Sequence, residues 1–210
     1  MSDLLRELQY GIPQFGVLIP TGFERVAIND DMYTEAERVW RENITDDEQL
    51  AGILEHLKNL RQQHSALRAF GMLAPQRTSE SPLPLTFLFT EVPVPGGRTA
   101  TGELRSLVTQ HGATIEHDGR TVRTERVERS PLDGETVTVR TRQHIIPVPD
   151  SDDKKLLNIM AVVTEAAGEY RLAHEDVESL WELADAVVAS FTWLQFAPIE
   201  LTPEQLEPTG

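Results

Sequence analysis

The chain has 210 residues, with 34 Asp and Glu against 19 Lys and Arg, a net charge of −15 and no cysteine. The missing cysteines exclude thiolate zinc sites, iron–sulfur clusters, redox thiol pairs and cysteine nucleophiles. The acidic balance speaks against general nucleic-acid binding, which needs a positive footprint for the phosphates.

From the N-terminus, MSDLLRELQYGIPQFG lacks the apolar run of a signal peptide. No window of the chain approaches the roughly 18 apolar residues of a membrane span. The expectation is a soluble, cytoplasmic protein with no membrane contact. Residues 1–12 read as a tail. FGVLI, ended by Pro20, reads as a first strand, and GFERVAI as a second that pairs with it across the Pro20–Gly22 turn. Two helices follow, at Asp31–Asn43 and from Asp46 to about Phe70. The longer one has Thr45 as N-cap, Glu48 in the capping-box position, and a stripe of Leu50, Ile53, Leu54, Leu57, Leu60 and Leu67. Residues 71–82 read as a loop. LPLTFLFTEV is apolar on both faces, the mark of a central strand with layers above and below it.

A helix from Gly102 to about Gln110 leads into an antiparallel meander. Asp118-Gly119 is a strong hairpin signal, SPLDGE supplies the next turn, and TVTVRTRQHIIPV makes a long strand. PDSDDKK turns the chain into LLNIMAVV, which is again apolar on both faces. The last helix, Glu175 to Phe191, carries a stripe of Val177, Leu180, Trp181, Ala184, Val187, Val188 and Phe191. Residues 195–210 have no periodicity and read as an extended tail. The expected fold is one α+β domain over residues 13–194. It is an α/β/α sandwich, a mainly antiparallel sheet covered by helices on both faces.

Residues 120–144 gather six arginines against four acids, about +2 in a chain of −15. Pairing His117 with Arg120 places Ile115 opposite Val122. Pairing Arg129 with Thr136 places Glu125 opposite Arg140 and Arg123 opposite Arg142. Val122, Thr124, Val137, Val139, Thr141 and Ile145 then share one face. Arg123, Glu125, Arg129, Thr138, Arg140, Arg142 and His144 share the other. Facing arginines call for an anion between them, and the guanidinium fork suits carboxylates and phosphates. Arg123, Arg140 and Arg142 are therefore the candidate partner- or anion-binding residues. The opposing interpretation is a solvated sheet face.

There is no GxxxxGK[ST] loop, GxGxxG turn, HExxH helix or GxSxG elbow, and the six histidines are scattered. DSDD at 150–153 reads as a hairpin turn, not a calcium loop, because glycine and the distal glutamate are missing. No catalytic residue, metal ligand or cofactor is assigned.

Three segments, FGVLIPTGFERVAI, IIPVPDSDDKKLLNIMAVVTEA and LWELADAVVASFTWL, together resemble actinobacterial proteins of the PsbP-like superfamily, which is related to the Ran-binding Mog proteins. In LWELADAVVASFTWL, Asp185 stands where the family's helix carries an aspartate. The resemblance spans about Phe15 to Leu194 and rests mostly on core positions. It implies an α/β/α sandwich and a largely non-catalytic role in binding protein partners or assisting assembly. Many such relatives are exported or lipid-anchored, and this N-terminus shows neither signal nor lipobox cysteine. The expected function is that of a non-enzymatic interaction or assembly protein. Its partner would be a protein, acidic if it meets Arg123, Arg140 and Arg142, with the C-terminal tail as a second contact element. Two alternatives stand beside it. One is a protein or enzyme that binds an anionic small molecule in an arginine-lined cleft. The other is a homo-oligomer in which the acidic body of one copy meets the arginine face of the next.

Overall fold

Two-residue periodicity in the second half of the chain builds most of one antiparallel sheet. A computed structural model describes residues 12–76, 83–116, 119–132, 135–165 and 172–206, and at 130–132, 135, 136, 203 and 204 the backbone alone. The strands are β1 (Phe15–Gly16), β2 (Phe23–Ala27), β3 (Ala69–Pro75), β4 (Leu85–Pro93), β5 (Thr114–Glu116), β6 (Thr121–Leu132), β7 (Glu135–Pro147), β8 (Lys155–Glu165) and β9 (Thr192–Trp193). The helices are α1 (Asp30–Asn43), α2 (Asp47–Ala66), α3 (Ala100–His111), α4 (His174–Ala189) and the single turn α5 (Pro203–Leu206). Seven strands form one sheet in the order β2-β3-β4-β8-β7-β6-β5, with every neighbouring pair antiparallel. Among the described residues no helix is long and apolar enough to cross a membrane.

Helix α4 covers one face. Its stripe, Val177, Leu180, Trp181, Ala184, Val187 and Val188, is buried against Leu73, Leu85, Phe87, Phe89, Ile159, Ala161 and Val163. Each buried Val, Leu, Ile or Phe among them is worth about 1.5–3 kcal/mol relative to exposure, so this layer is a main source of stability. On the other face α1 and α2 bury Tyr33 and Leu57 with Ile28, Ala69 and Leu88. Further along that face, α3 buries Ala100 and Leu104 with Val122, Ile145, Leu156, Leu201 and Leu206. The expected α/β/α sandwich is the observed fold, and β4 and β8 are its central strands.

Local expectations fail where tertiary contact outweighs local pattern. Residues 15–19 do not pair with GFERVAI. Only Phe15–Gly16 is strand, and it pairs with β9. Phe15 is held there by Phe89, Phe191, Trp193 and Phe70, at ring-centroid distances of 5.2 to 6.3 Å, while Leu18 and Ile19 are exposed. β2 pairs instead with β3, a strand hidden in the sequence by Gly71 and Pro75. Helix α2 is capped by Asp46, whose carboxylate accepts the Gln49 amide at 2.7 Å, in place of Thr45. It stops at Ala66 because Arg68 adopts a left-handed conformation (φ 53°) and turns the chain into β3, which leaves Leu67 exposed. The DSDD turn behaves as expected, with Asp150, Asp152 and Asp153 at positive φ. Asp153 also accepts from the Thr101 amide at 3.1 Å, at the start of α3.

Where α1 meets α2, the Tyr33 hydroxyl lies 2.6 Å from Nδ1 of buried His64. A phenol that donates and a neutral imidazole that accepts satisfy one another there. Burial pushes the His64 pKa down from its usual value. A depressed histidine binds its proton more readily when unfolded, so the unfolded state takes up protons first as pH falls. Its contribution is therefore complete above about pH 6.5 and is lost as pH falls below that. Chemical denaturation at pH 7.5 and 5.5 is expected to show lower stability at the acid end, with a smaller difference in His64→Gln.

Candidate interaction surface

The β6–β7 hairpin carries the arginines, and its register decides what they meet. Ile115 lies opposite Val122, as expected. Along β6 and β7, however, Arg129 pairs with Thr138, Glu125 with Arg142, and Arg123 with His144. The expected facing of Arg123 with Arg142 is therefore wrong by two residues. The reason is the turn. Pairing continues to Leu132 and Glu135, so the connection is just Asp133 and Gly134, which lie outside the described residues. This is the same two-residue Asp-Gly signal that marks Asp118-Gly119, where Asp118 also lies outside them. A slip of two preserves the face of every side chain, so Arg123, Glu125, Arg140, Arg142 and His144 do share one face.

That face lies beneath α4. The Arg142 side chain is 9% exposed and donates from Nη1 to Asp185 Oδ2 at 2.8 Å. Its Nη2 lies 2.9 Å from Glu125 Oε1, and its guanidinium carbon sits 4.6 Å from the centre of the Trp181 ring. Arg123 meets Glu116 at 2.6 Å and Glu125 at 3.5 Å. Arg140 donates to Glu165, a buried carboxylate at the end of β8. Fully buried His144 places Nε2 3.6 Å from Asp185 Oδ1. The three candidate arginines thus come together on one face, and each meets a carboxylate of its own chain.

Chemically this is an anion-binding cluster whose anions are built in. Ligand atoms of Glu116, His144 and Asp185 lie within 4.8 Å of one another. Two of these ligands are engaged by guanidiniums, Glu116 by Arg123 and Asp185 by Arg142. Both carboxylates therefore already meet guanidinium charge, Glu116 through Oε1 and Asp185 through Oδ2. A cavity beside α4, lined by Thr121, Ile146, Val188, Phe191, Trp193 and Ile199, measures about 30 Å³, room for a water or two. A wider groove of about 560 Å³ runs along α3 past Arg98, Thr99, Glu103 and Ser106, and none of the three arginines lines it.

Sequence reasoning missed the residues that complete the cluster. Asp185 and Glu165 lie on α4 and β8, far from the hairpin in sequence, whereas Glu116 lies on β5, just before the hairpin. The one available signal was Asp185 itself, an acid beside Ala184 on an otherwise apolar helix face. The C-terminal segment, read as extended, is docked. The Leu201 amide donates to Gly119 O at 2.8 Å, Arg105 Nε donates to Gln205 O at 2.6 Å, and Leu201 and Leu206 are buried.

Beyond the cluster the hairpin changes character. Residues 125–129, Glu-Arg-Val-Glu-Arg, are all exposed. Arg126 and Glu128 pair with each other at 2.6 Å, with side chains 75% and 50% exposed, and Val127 is 53% exposed. On the side away from β7, β6 has β5 as neighbour at Thr121–Arg123 alone. Among the described residues its edge is open from Thr124 onward.

No protein-family model matches the chain, and no curated protein matches it either. Among solved structures it is similar to a protein from Bacteroides thetaiotaomicron, at 10% identity and a TM-score of 0.41, covering 86% of this chain and 45% of that one. It is similar to LpqN of Mycobacterium tuberculosis, described as involved in cell envelope biogenesis, at 12% identity and a TM-score of 0.41, covering 86% and 83%. It is also similar to the cyanobacterial PsbP of Synechocystis, at 11% identity and a TM-score of 0.33, covering 85% and 86%. The chain spans less than half the length of the Bacteroides protein.

Proposed function

We propose that this chain is a non-catalytic interaction protein that binds a protein partner along the outer half of β6. The observation that carries the reading is the division of labour on one hairpin. Its inner arginines, Arg123, Arg140 and Arg142, hold the hairpin to α4, β5 and β8 through ion pairs. Its outer residues, Arg126 to Arg129, present charge, an exposed valine and a strand edge that is open among the described residues. Open edges are otherwise a liability that invites pairing with another chain, and strand addition is a common way of recognising an extended segment. Arg123, Arg140 and Arg142 enter as positioning residues, and Arg126, Val127 and Arg129 as contacts. The same reading keeps the chain with the PsbP-like superfamily on the segments quoted above. It also keeps the cytoplasm as its compartment, which a chain without cysteine suits.

The test is a quantitative pull-down from the native host with tagged wild type and with Arg126→Glu/Arg129→Glu. Both sites are exposed, so the variant is expected to fold normally by circular dichroism. A stoichiometric partner kept by the wild type and lost by the variant supports the reading. A partner that the variant keeps, or no partner, contradicts it.

A further inference from the structure

We infer that the partner surface on β6 is self-complementary, and that a second copy of this chain pairs with it edge to edge about a two-fold axis at Val127. The inference rests on the preceding reading and names the occupant. Three features of the strand converge on it.

The first is the free length of the edge. β5 occupies β6 through Arg123, so the open ladder starts at Thr124. Pro131, which has no backbone N–H to donate, ends it at Ser130. The midpoint of 124–130 is 127.

The second is charge. In an antiparallel pair, residues opposite one another share the same orientation toward the gap, so a symmetric pairing must match odd with odd and even with even. Within that constraint, a centre at residue 126 sets Arg126 against itself, and a centre at 128 sets Glu128 against itself. Centres at 125 and 129 likewise oppose like charges. A centre at 127 alone sets Glu125 against Arg129 and Arg126 against Glu128, twice each by symmetry. Thr124 then faces Ser130.

The third is the residue on the axis. Val127 is 53% exposed between charged neighbours, and in this register it packs against its own copy. Exposed β-branched residues at the centre of an edge are what charged flanks normally guard. Here the flanks attract a second copy. The segment 120–144 also carries six arginines to four acids in a chain of −15, which lowers the general repulsion between copies at this edge. Beyond Pro131 the partner's hairpin tip reaches β5 and leaves the ladder.

Sedimentation velocity on the full chain across micromolar to millimolar concentration tests this. The wild type is expected to show a monomer–dimer equilibrium. Arg126→Glu places like charges opposite each other at both symmetry-related pairs and is expected to weaken the dimer about tenfold or more. Arg126→Glu/Glu128→Arg restores every opposite pair, together with the intrachain contact, and is expected to return the dimer close to wild-type affinity. A monomeric wild type, a dimer indifferent to Arg126→Glu, or a double variant no better than the single overturns the proposal. If the wild type is monomeric yet the host pull-down yields a different protein that Arg126→Glu/Arg129→Glu loses, the self-pairing is wrong and the β6 reading stands. If both fail, both are wrong.

Discussion

Replacing Arg142 with methionine is expected to destabilise the protein by about 3 kcal/mol, toward the low end of what breaking a buried ion pair costs. Methionine keeps the apolar stem against Trp181 but removes the guanidinium that satisfies Asp185 and Glu125. Those carboxylates are 34% and 50% exposed, so water recovers part of their solvation, which sets the lower end of the range. Arg142→Lys keeps the charge and loses the fork, and is expected to cost about half as much. Adding Asp185→Leu to Arg142→Met removes the stranded carboxylate and is expected to recover a large share of the loss, because well-packed apolar replacements of a buried pair are often neutral. Urea denaturation of the four proteins measures all of this. A cost below about 1 kcal/mol for Arg142→Met, the range of a surface pair, would mean that the pair is not what holds the hairpin under α4.

The second large effect is expected at Gly119. Its φ of 83° lies in the left-handed region, and a Cβ there would stand 2.5 Å from the Leu201 carbonyl oxygen. Gly119→Ala therefore meets backbone strain of about 1–3 kcal/mol together with a clash against backbone that has no rotamer to give way. Residues near Leu201 must move, and the hydrogen bond from the Leu201 amide goes with them. Once that contact yields, Leu201 and Leu206 lose their places beside Leu104 and Val122. The expected result is a stability loss of about 2–4 kcal/mol and faster protease cleavage within residues 196–206. Unchanged cleavage there would show that the C-terminal segment is held by its other contacts, such as that of Arg105 with Gln205.

What the sequence revealed follows from which constraints are local. Helix α4 was readable because its stripe of Val177, Leu180, Trp181, Ala184, Val187 and Val188 is long and regular. The faces of β6 and β7 were readable although their register was not, because side chains alternate with period two and a slip of two leaves the alternation intact. β3 was not readable, since Gly71 and Pro75 are poor strand residues; Gly71 succeeds by lying between β2 and β4, and Pro75 ends the strand paired with β2 alone. Nor was the state of the arginines. A segment with six of them looks like a surface waiting for an anion until Asp185, Glu165 and Glu116 arrive from α4, β8 and β5. For Asp185 and Glu165, far away in sequence, that proximity is a product of the fold. The open edge at Thr124–Ser130 was hidden for the same reason. It exists because β5 is three residues long, which becomes meaningful once β5 is placed beside β6.

The inner hairpin is occupied by its own chain, and the proposed binding falls on the outer half of β6. Hydrogen–deuterium exchange on the chain with and without its partner, or concentrated and dilute if the partner is a second copy, tests this most directly. The predicted result is protection gained at the amides of residues 125–129, with little change around Arg140–His144, which are already covered by α4. Protection gained elsewhere, with residues 125–129 unchanged, would contradict it.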